Sequence, residues 1–312
     1  MKPFLLNAIA KDFMLSESEA LNLILSSPRR YKTYQIPKRT QGQYRTIAQP
    51  AKEVKFLQYW MIENILNKLP IHPAASAYVR GKSIKDNANI HVNSEYLLKI
   101  DFRDFFPSIK PNDFLQYINM MPDKILTGID VDYAIRILFW RPRFENILQL
   151  AIGAPSSPLL SNILMFNFDK EVSEICMTFM SHYSRYADDL TFSANDPDTL
   201  RKIYGSIEKI CHKMKSPSLV INTDKTIFTS KKHRRRVTGL ILSNEGKVSL
   251  GRERKRSISA KIHHYTLGDF SKADILKLKG LLAFAMDVEP SFIERMRRKY
   301  TTKTIDDIFK TS

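Results

Sequence analysis

Acidic residues at two places in the sequence have the type and spacing to hold a divalent cation. Asp101 ends the apolar run Tyr96-Leu-Leu-Lys-Ile-Asp101 and lies within Lys99-Ile-Asp-Phe-Arg-Asp-Phe-Phe-Pro107. The doublet Asp188-Asp189 closes Tyr186-Ala-Asp-Asp189, inside a stretch (184–193) that reads as a β-hairpin. Adjacent carboxylates repel each other and burial strengthens the repulsion, so such a doublet persists most easily beside a divalent cation. If Asp101 opposes it from a neighbouring strand, three carboxylates can hold two Mg²⁺ ions about 4 Å apart. One ion would activate a 3′-hydroxyl and the other would neutralise a leaving pyrophosphate, which is phosphoryl transfer by positioning and charge. Plainer readings stand beside this one. Acids in turns are usually solvated, and Asp101 alone could cap a strand end.

The elements that must position these acids are read from periodicity and turn chemistry. Residues 12–27 predict a helix capped by Ser16, with Glu19 three residues on and Leu21, Ile24 and Leu25 on one face. Tyr34 to Gln49 predicts two strands around a turn at Thr40-Gln41-Gly42. Residues 52–68, 111–120, 129–140 and 197–214 predict helices. Ser156 opens a long helix with Pro158 in its first turn and Leu160, Ile163, Leu164, Phe168, Val172 and Ile175 on the buried side. Strands are predicted at 96–101 and 218–221, and a second hairpin at Val237–Leu242 and Lys247–Leu250, turned by Asn244-Glu245-Gly246. From Arg252 on the pattern is helical and basic. The architecture that emerges is a ββα-like core with acids at strand ends, followed by a helical lobe.

The 312 residues carry 49 Lys+Arg against 32 Asp+Glu, a formal charge of +17, with 43% hydrophobic residues. That hydrophobic share suits a globular core, and the surplus charge points to a polyanion, nucleic acid first and an anionic membrane surface second. Two cysteines, Cys176 and Cys211, cannot build a disulfide framework or a metal-ligand spacing and read as buried thiols. The N-terminal stretch lacks the pattern of a secretory signal, and no run of about 18 apolar residues offers a membrane span. A reducing cytoplasm is the expected location.

Tyr186-Ala-Asp-Asp189, Asp101 in its Ile-Asp-Phe…Phe-Phe-Pro setting, and Gly153-Ala-Pro-Ser-Ser-Pro158 between them resemble the ordered motifs of reverse transcriptases. More narrowly, Asn87-Ala-Asn-Ile-His91 resembles the Asn-Ala-x-x-His motif of retron reverse transcriptases, Val237-Thr-Gly239 their Val-Thr-Gly motif, and Tyr44-Arg-Thr-Ile-Ala-Gln-Pro50 their fingers motif. The match runs from about residue 30 to 250. It implies an α+β right-hand polymerase: an N-terminal helix and fingers over 1–95, a palm of antiparallel sheet plus helices over 96–240 with a fingers-side helical insertion near 112–145, and a basic helical thumb over 241–312. It implies roles too. Asp101, Asp188 and Asp189 are the catalytic, metal-binding acids. Arg45 grips the triphosphate, Phe106 gates against a ribose 2′-hydroxyl, Phe102 and Gly153 line the dNTP site, Lys225 protonates pyrophosphate, and Tyr186 meets the primer. One departure stands out: many relatives read Leu-Pro-Gln-Gly where this chain reads Leu150-Ala-Ile-Gly153, and an isoleucine cannot hydrogen-bond nucleotide or template.

The resemblance further implies a cognate non-coding RNA that is both template and primer, bound through Asn87, His91, Arg234, Arg235, Arg236, Val237, Thr238 and Gly239. Synthesis from an RNA 2′-hydroxyl would leave branched multicopy single-stranded DNA and an RNA–DNA hybrid. An effector protein and a role in defence against phage are implied as well. Mn²⁺ could replace Mg²⁺. The basic residues 252–261 and 295–299, with Tyr265, Phe270 and Tyr300 interleaved, could track phosphates and stack on bases, or could be a solvated face. No ribonuclease H or integrase domain is expected after the thumb. Two other readings remain open: a scaffold that sequesters an effector through an RNA complex, and a group II intron-like or other bacterial reverse transcriptase.

Overall fold

The computed structural model describes residues 3–37, 42–122 and 125–311. The chain begins with helix α1 (Phe4–Asp12), to which the sequence reading assigned no element. Asp130 explains why α1 can start: its carboxylate accepts the backbone N–H groups of Phe4 (3.0 Å) and Leu5 (2.8 Å), two of the helix's unpaired donors. Helix α2 (Glu17–Ser26) follows a turn at residues 13–16 and carries the expected capping box, with Ser16 and Glu19 bonding each other's backbone amides. Strands β1 (Tyr31–Pro37) and β2 (Tyr44–Pro50) form an antiparallel ribbon in the register Tyr31↔Pro50 to Pro37↔Tyr44. Thr40 and Gln41 of the expected turn lie outside the described residues. Helices α3 (Lys52–Asn64) and α4 (Ile84–Asn89) lead into the central sheet.

That sheet starts with β3 (Tyr96–Asp101), followed by α5 (Phe105–Ser108), α6 (Pro111–Met120) and α7 (Ile129–Leu138). The expected single helix from Ser156 is two, α8 (Ser156–Leu164) and α9 (Phe166–Thr178), parted at Met165 but sharing one buried side through Leu160, Ile163, Phe168 and Val172. Then come β4 (His182–Tyr186), β5 (Asp189–Ala194), α10 (Pro197–Lys213) and β6 (Ile227–Ser230). The strand order is β4-β5-β3-β6, with β3 and β5 antiparallel at the centre. The expected strand at 218–221 is absent; Ile221 makes only an isolated bridge to Phe102, and the fourth strand is β6 instead. Cys176 is buried and Cys211 half-buried, both as free thiols.

A second sheet joins β7 (Arg236–Val237), β8 (Leu240–Leu242) and β9 (Val248–Ser249). The strand expected over 237–242 is broken by Thr238 (φ +46°) and Gly239 (φ +85°), whose left-handed backbone turns β7 back onto β8. Helices α11 (Arg252–Thr266), α12 (Lys272–Val288), α13 (Pro290–Tyr300) and α14 (Thr302–Lys310) complete the chain.

Two large hydrophobic cores result, beside a small cluster of Ala48, Trp140, Ala151 and Ala154. The larger gathers α1, α2, α3, the central sheet and α6–α10. The smaller packs Ile258, Ile262, Leu278, Leu282, Phe292 and Ile305 of the C-terminal helices against Val237, Leu240, Leu242 and Ala88. Strand β3 serves both: Leu98 and Ile100 enter the larger core, whereas Leu97 enters the smaller. The division expected at residue 240 therefore falls inside β8, and the β7–β9 sheet shares its core with the C-terminal helices.

Candidate active site

Asp101 and Asp189 are direct cross-strand partners at the ends of β3 and β5. Opposite residues in an antiparallel pair share a face, with Cβ atoms about 4.5–5.5 Å apart. Asp188 precedes β5 in the hairpin turn, and its carbonyl accepts the backbone N–H of Phe102 at 3.3 Å, so the turn is tied to the residue after Asp101. Ala187, in a left-handed conformation (φ +58°), makes the turn that brings the doublet round. The three acids thus meet at one edge of the palm-like sheet.

Their electrostatics are those of a crowded site. Burial, then Asp189, then Asp101 push the Asp188 carboxyl up to about 6. Burial and Asp101 raise Asp189 as well, against the pull of Lys99 and Lys225. Asp101 is 8% exposed and accepts from Lys225 Nζ (2.9 Å) and Asn222 Nδ2 (3.2 Å). Among the described residues no three His, Cys, Asp or Glu side chains are gathered as a finished ion cage. The lysine ammonium supplies the nearest positive charge to Asp101 instead. The donor chemistry nevertheless fits a hard divalent cation: carboxylate oxygens on neighbouring strands, one of them raised first by burial and then by the other two acids.

A cleft of about 310 Å³ is lined by Lys55, Tyr78, Phe106, Ile152, Gly153 and Ser157 among others. Phe106 and Gly153, both expected at a nucleotide site, line this one cleft. Gly153 has φ +119°, and a Cβ there would sit 3.0 Å from Ile47 Cγ2 and 3.1 Å from the Ala48 carbonyl oxygen. Only glycine lets β2 dock so closely, which the bond from Ala48 N–H to the Ile152 carbonyl (2.8 Å) fixes. Arg45 lies exposed on β2. Phe102 does not line the cleft. It is 2% exposed and packs on Phe105 and Phe168, because strand alternation turns it inward beside the outward-facing Asp101.

A buried polar clamp stands behind the doublet, and sequence reasoning missed it. Arg185 and Asp169 are both fully buried and joined by bonds of 2.6 and 2.8 Å, with Tyr183 Oη donating to Asp169 at 2.7 Å. The remaining guanidinium nitrogen donates to the Ala187 carbonyl (3.1 Å) and to Asn162 Oδ1 (3.0 Å), and Asn162 Nδ2 donates to the Ala77 carbonyl (2.8 Å). The one signal for it was an acid, Asp169, on the buried side of a helix between Phe168 and Val172.

A family described as "Reverse transcriptase (RNA-dependent DNA polymerase)" matches residues 36–242. The Retron Ec83 reverse transcriptase of Escherichia coli is 44% identical over 285 residues, 90% of this chain and 90% of that protein. The chain belongs to the retron-type reverse transcriptases. The Retron Ec86 reverse transcriptase of Escherichia coli is 32% identical, covering 95% of this chain and 90% of that one. Among solved structures, telomerase from Candida albicans in complex with a fragment of telomeric RNA overlays with TM-score 0.48 and 11% identity, covering 89% of this chain and 60% of that chain. With that family membership and an antiparallel four-stranded sheet packed by helices, the α+β fold of this reverse transcriptase is the right-hand polymerase.

The residues expected to hold RNA divide by burial. Arg234 and Arg236 are exposed, Arg234 facing Glu253 at 3.3 Å. His91, Arg235 and Val237 are buried, which removes them from direct RNA contact in this conformation. The His91 ring bridges Ser184 and Ser193 hydroxyls, each at 2.8 Å, and so braces β4 and β5 from within; burial holds it neutral, down to about 3. Arg235 bonds the carbonyls of Ser94 and Ser243. Thr238 Oγ1 donates to the Ile84 carbonyl (3.1 Å), so the Val-Thr-Gly turn abuts the helix that carries Asn87. Asn87 is itself buried, and neither of its amide atoms has a partner among the described residues. Tyr265, Phe270 and Tyr300 pack against the smaller core. No helix of the described residues is long and apolar enough to cross a membrane.

Proposed function

We propose that this reverse transcriptase copies a cognate structured non-coding RNA, primes from a 2′-hydroxyl of that RNA and leaves branched multicopy single-stranded DNA. One observation carries the chemistry: Asp101 stands opposite Asp189 in register, beside an Asp188 whose carboxyl is raised by its neighbours, with Lys225 in contact. Asp101, Asp188 and Asp189 would hold two Mg²⁺ ions, or Mn²⁺ in their place. Bound there, the ions would make the attacking hydroxyl more acidic and neutralise the negative charge of the departing pyrophosphate.

The chain's own residues do the rest. Arg45, exposed on the ribbon that docks at Gly153, offers a planar fork to the triphosphate. The half-buried Phe106 ring lines the cleft, where it would clash with a ribose 2′-hydroxyl and so select deoxynucleotides. Lys225, with a side chain 58% exposed, can turn from Asp101 to give a proton to pyrophosphate. Tyr186, at the hairpin turn, meets the primer end. RNA recognition falls to the exposed Arg234 and Arg236 and to the Val-Thr-Gly turn on the Asn87 helix, since structured RNA is read by shape and 2′-hydroxyls. A cytoplasmic defence role with an effector protein completes the reading.

The test is synthesis by the purified protein with its cognate RNA and dNTPs. RNase-resistant DNA is expected with Mg²⁺ and none with EDTA. Asp188→Asn should lower synthesis by at least about a hundredfold while the RNA complex still assembles. Undiminished synthesis by that variant, or by the protein in EDTA, would refute the proposal.

A further inference from the structure

Tyr78 stands out in the cleft. Its backbone is left-handed (φ +59°), a conformation that a bulky residue adopts only when its surroundings impose it. Its side chain is half exposed (53%) and lines the same cleft as Phe106, Ile152 and Gly153. The hydroxyl has no hydrogen-bond partner among the described residues. The ring is not a core side chain that happens to touch solvent: it belongs to neither hydrophobic core.

The polar clamp shows what imposes the strain. Asn162 holds the Ala77 carbonyl with its Nδ2 and receives Arg185 Nη1 on its Oδ1, and the same Nη1 holds the Ala187 carbonyl. The Ser76 N–H adds a bond to the Arg185 carbonyl at 2.8 Å. Residues 77 and 187 are therefore fixed to one buried group, and each is directly followed by a residue that faces the site, Tyr78 and Asp188. The phenol lies within electrostatic reach of both sides of that site. After burial, Tyr186 and Asp188 raise it and Arg45 lowers it.

We propose that Tyr78 is a substrate-positioning residue, its ring bracing the nascent base pair between the strand that carries Arg45 and the turn that carries Asp188. This rests on the proposed nucleotide site. An aromatic face suits the task because every base offers a π-face, so the contact tolerates any sequence. The strained backbone keeps the ring in the cleft when no substrate is there, so that little ordering remains to be done on binding.

The experiment is steady-state incorporation of dTTP on poly(rA)/oligo(dT) with Mg²⁺ by the full chain, comparing wild type with Tyr78→Phe, Tyr78→Ala and Tyr78→Gly, with thermal melting alongside. Tyr78→Ala should raise KM for dTTP about tenfold, from loss of a base–aromatic contact. Its kcat should stay within about threefold and its melting temperature should not fall. Tyr78→Phe should restore KM, since the ring carries the effect. Tyr78→Gly should share the KM defect while melting no lower than wild type, because glycine relaxes the left-handed backbone. An unchanged KM in Tyr78→Ala overturns the inference alone, as does a loss of kcat and melting temperature with KM unaltered, which would mark a merely structural residue. A wild type inactive both here and with its cognate RNA would bring down the polymerase reading and this inference with it.

Discussion

His91 shows how far a residue's place can differ from its motif. As part of Asn-Ala-x-x-His it is expected to touch RNA, yet its ring is fully buried between two serine hydroxyls of the β4–β5 hairpin. The consequence is an acid sensitivity of the fold. In the unfolded chain the imidazole takes up a proton near 6.5, whereas in the fold burial holds it neutral down to about 3. Between those values the unfolded state binds more protons, so stability falls as pH is lowered through that window, by up to about 1.4 kcal/mol per pH unit. Urea denaturation at pH 7 and pH 5 should show a larger loss for wild type than for His91→Gln, which keeps hydrogen-bonding atoms but cannot titrate. Equal losses would mean that the ring does not govern the effect. The strand-end position of Asp101 beside the doublet and the close backbone approach at Gly153 were readable at this scale because each depends on residue type at one position. Phe102 was not, because its direction follows from the alternation of a strand whose opposite face carries the acid.

At the scale of elements, the hairpin β4–β5 depends on a charge pair that no local pattern announces. Arg185 and Asp169 lie 16 residues apart on different elements, and nothing in either segment alone says that they meet. Asp169→Asn would leave a guanidinium buried without its counter-charge and Tyr183 without its anionic acceptor, which costs about 3–5 kcal/mol. Chemical denaturation measures this. DNA synthesis by the still-folded variant should drop too, because the Ala187 carbonyl loses a firmly held donor. A loss under about 1 kcal/mol would mean that the pair is worth no more than a surface ion pair. Helices with clear caps, such as α2 and α6, could be read from sequence because their signals are local. Helix α1 could not, since its N-terminal cap is Asp130, far along the chain. Strand β6 was missed because it forms against β3, and its exposed pattern shows no alternation of its own.

For the whole molecule the dominant quantity is the charge of +17. Not all of the basic C-terminal run is available to a polyanion. Lys255 pairs with Glu289 at 2.6 Å, Arg297 with Glu294 and Asp306, and Arg254 lies over the Phe284 ring. Arg252 and Arg256 on α11 are exposed and form no ion pair among the described residues. RNA affinity should therefore fall steeply with salt, with a log–log slope of about −4 or steeper, and each of Arg252→Ala and Arg256→Ala should flatten it by about 1. Filter binding over a salt series gives the slope. If both variants leave it unchanged, α11 does not follow the phosphates. The basic, helical C-terminal lobe was legible in the sequence. Its merger with β7–β9 and Ala88 into one core was not, because that core is assembled from segments some 200 residues apart.

Strand β3 places Leu97 in one core and Leu98 in the other. Its alignment is thereby locked from both sides. A slip of one position would exchange the two leucines between interiors built for different neighbours and turn Asp101 to the wrong face. The Asp101 carboxylate keeps its address because two separate interiors must agree on it.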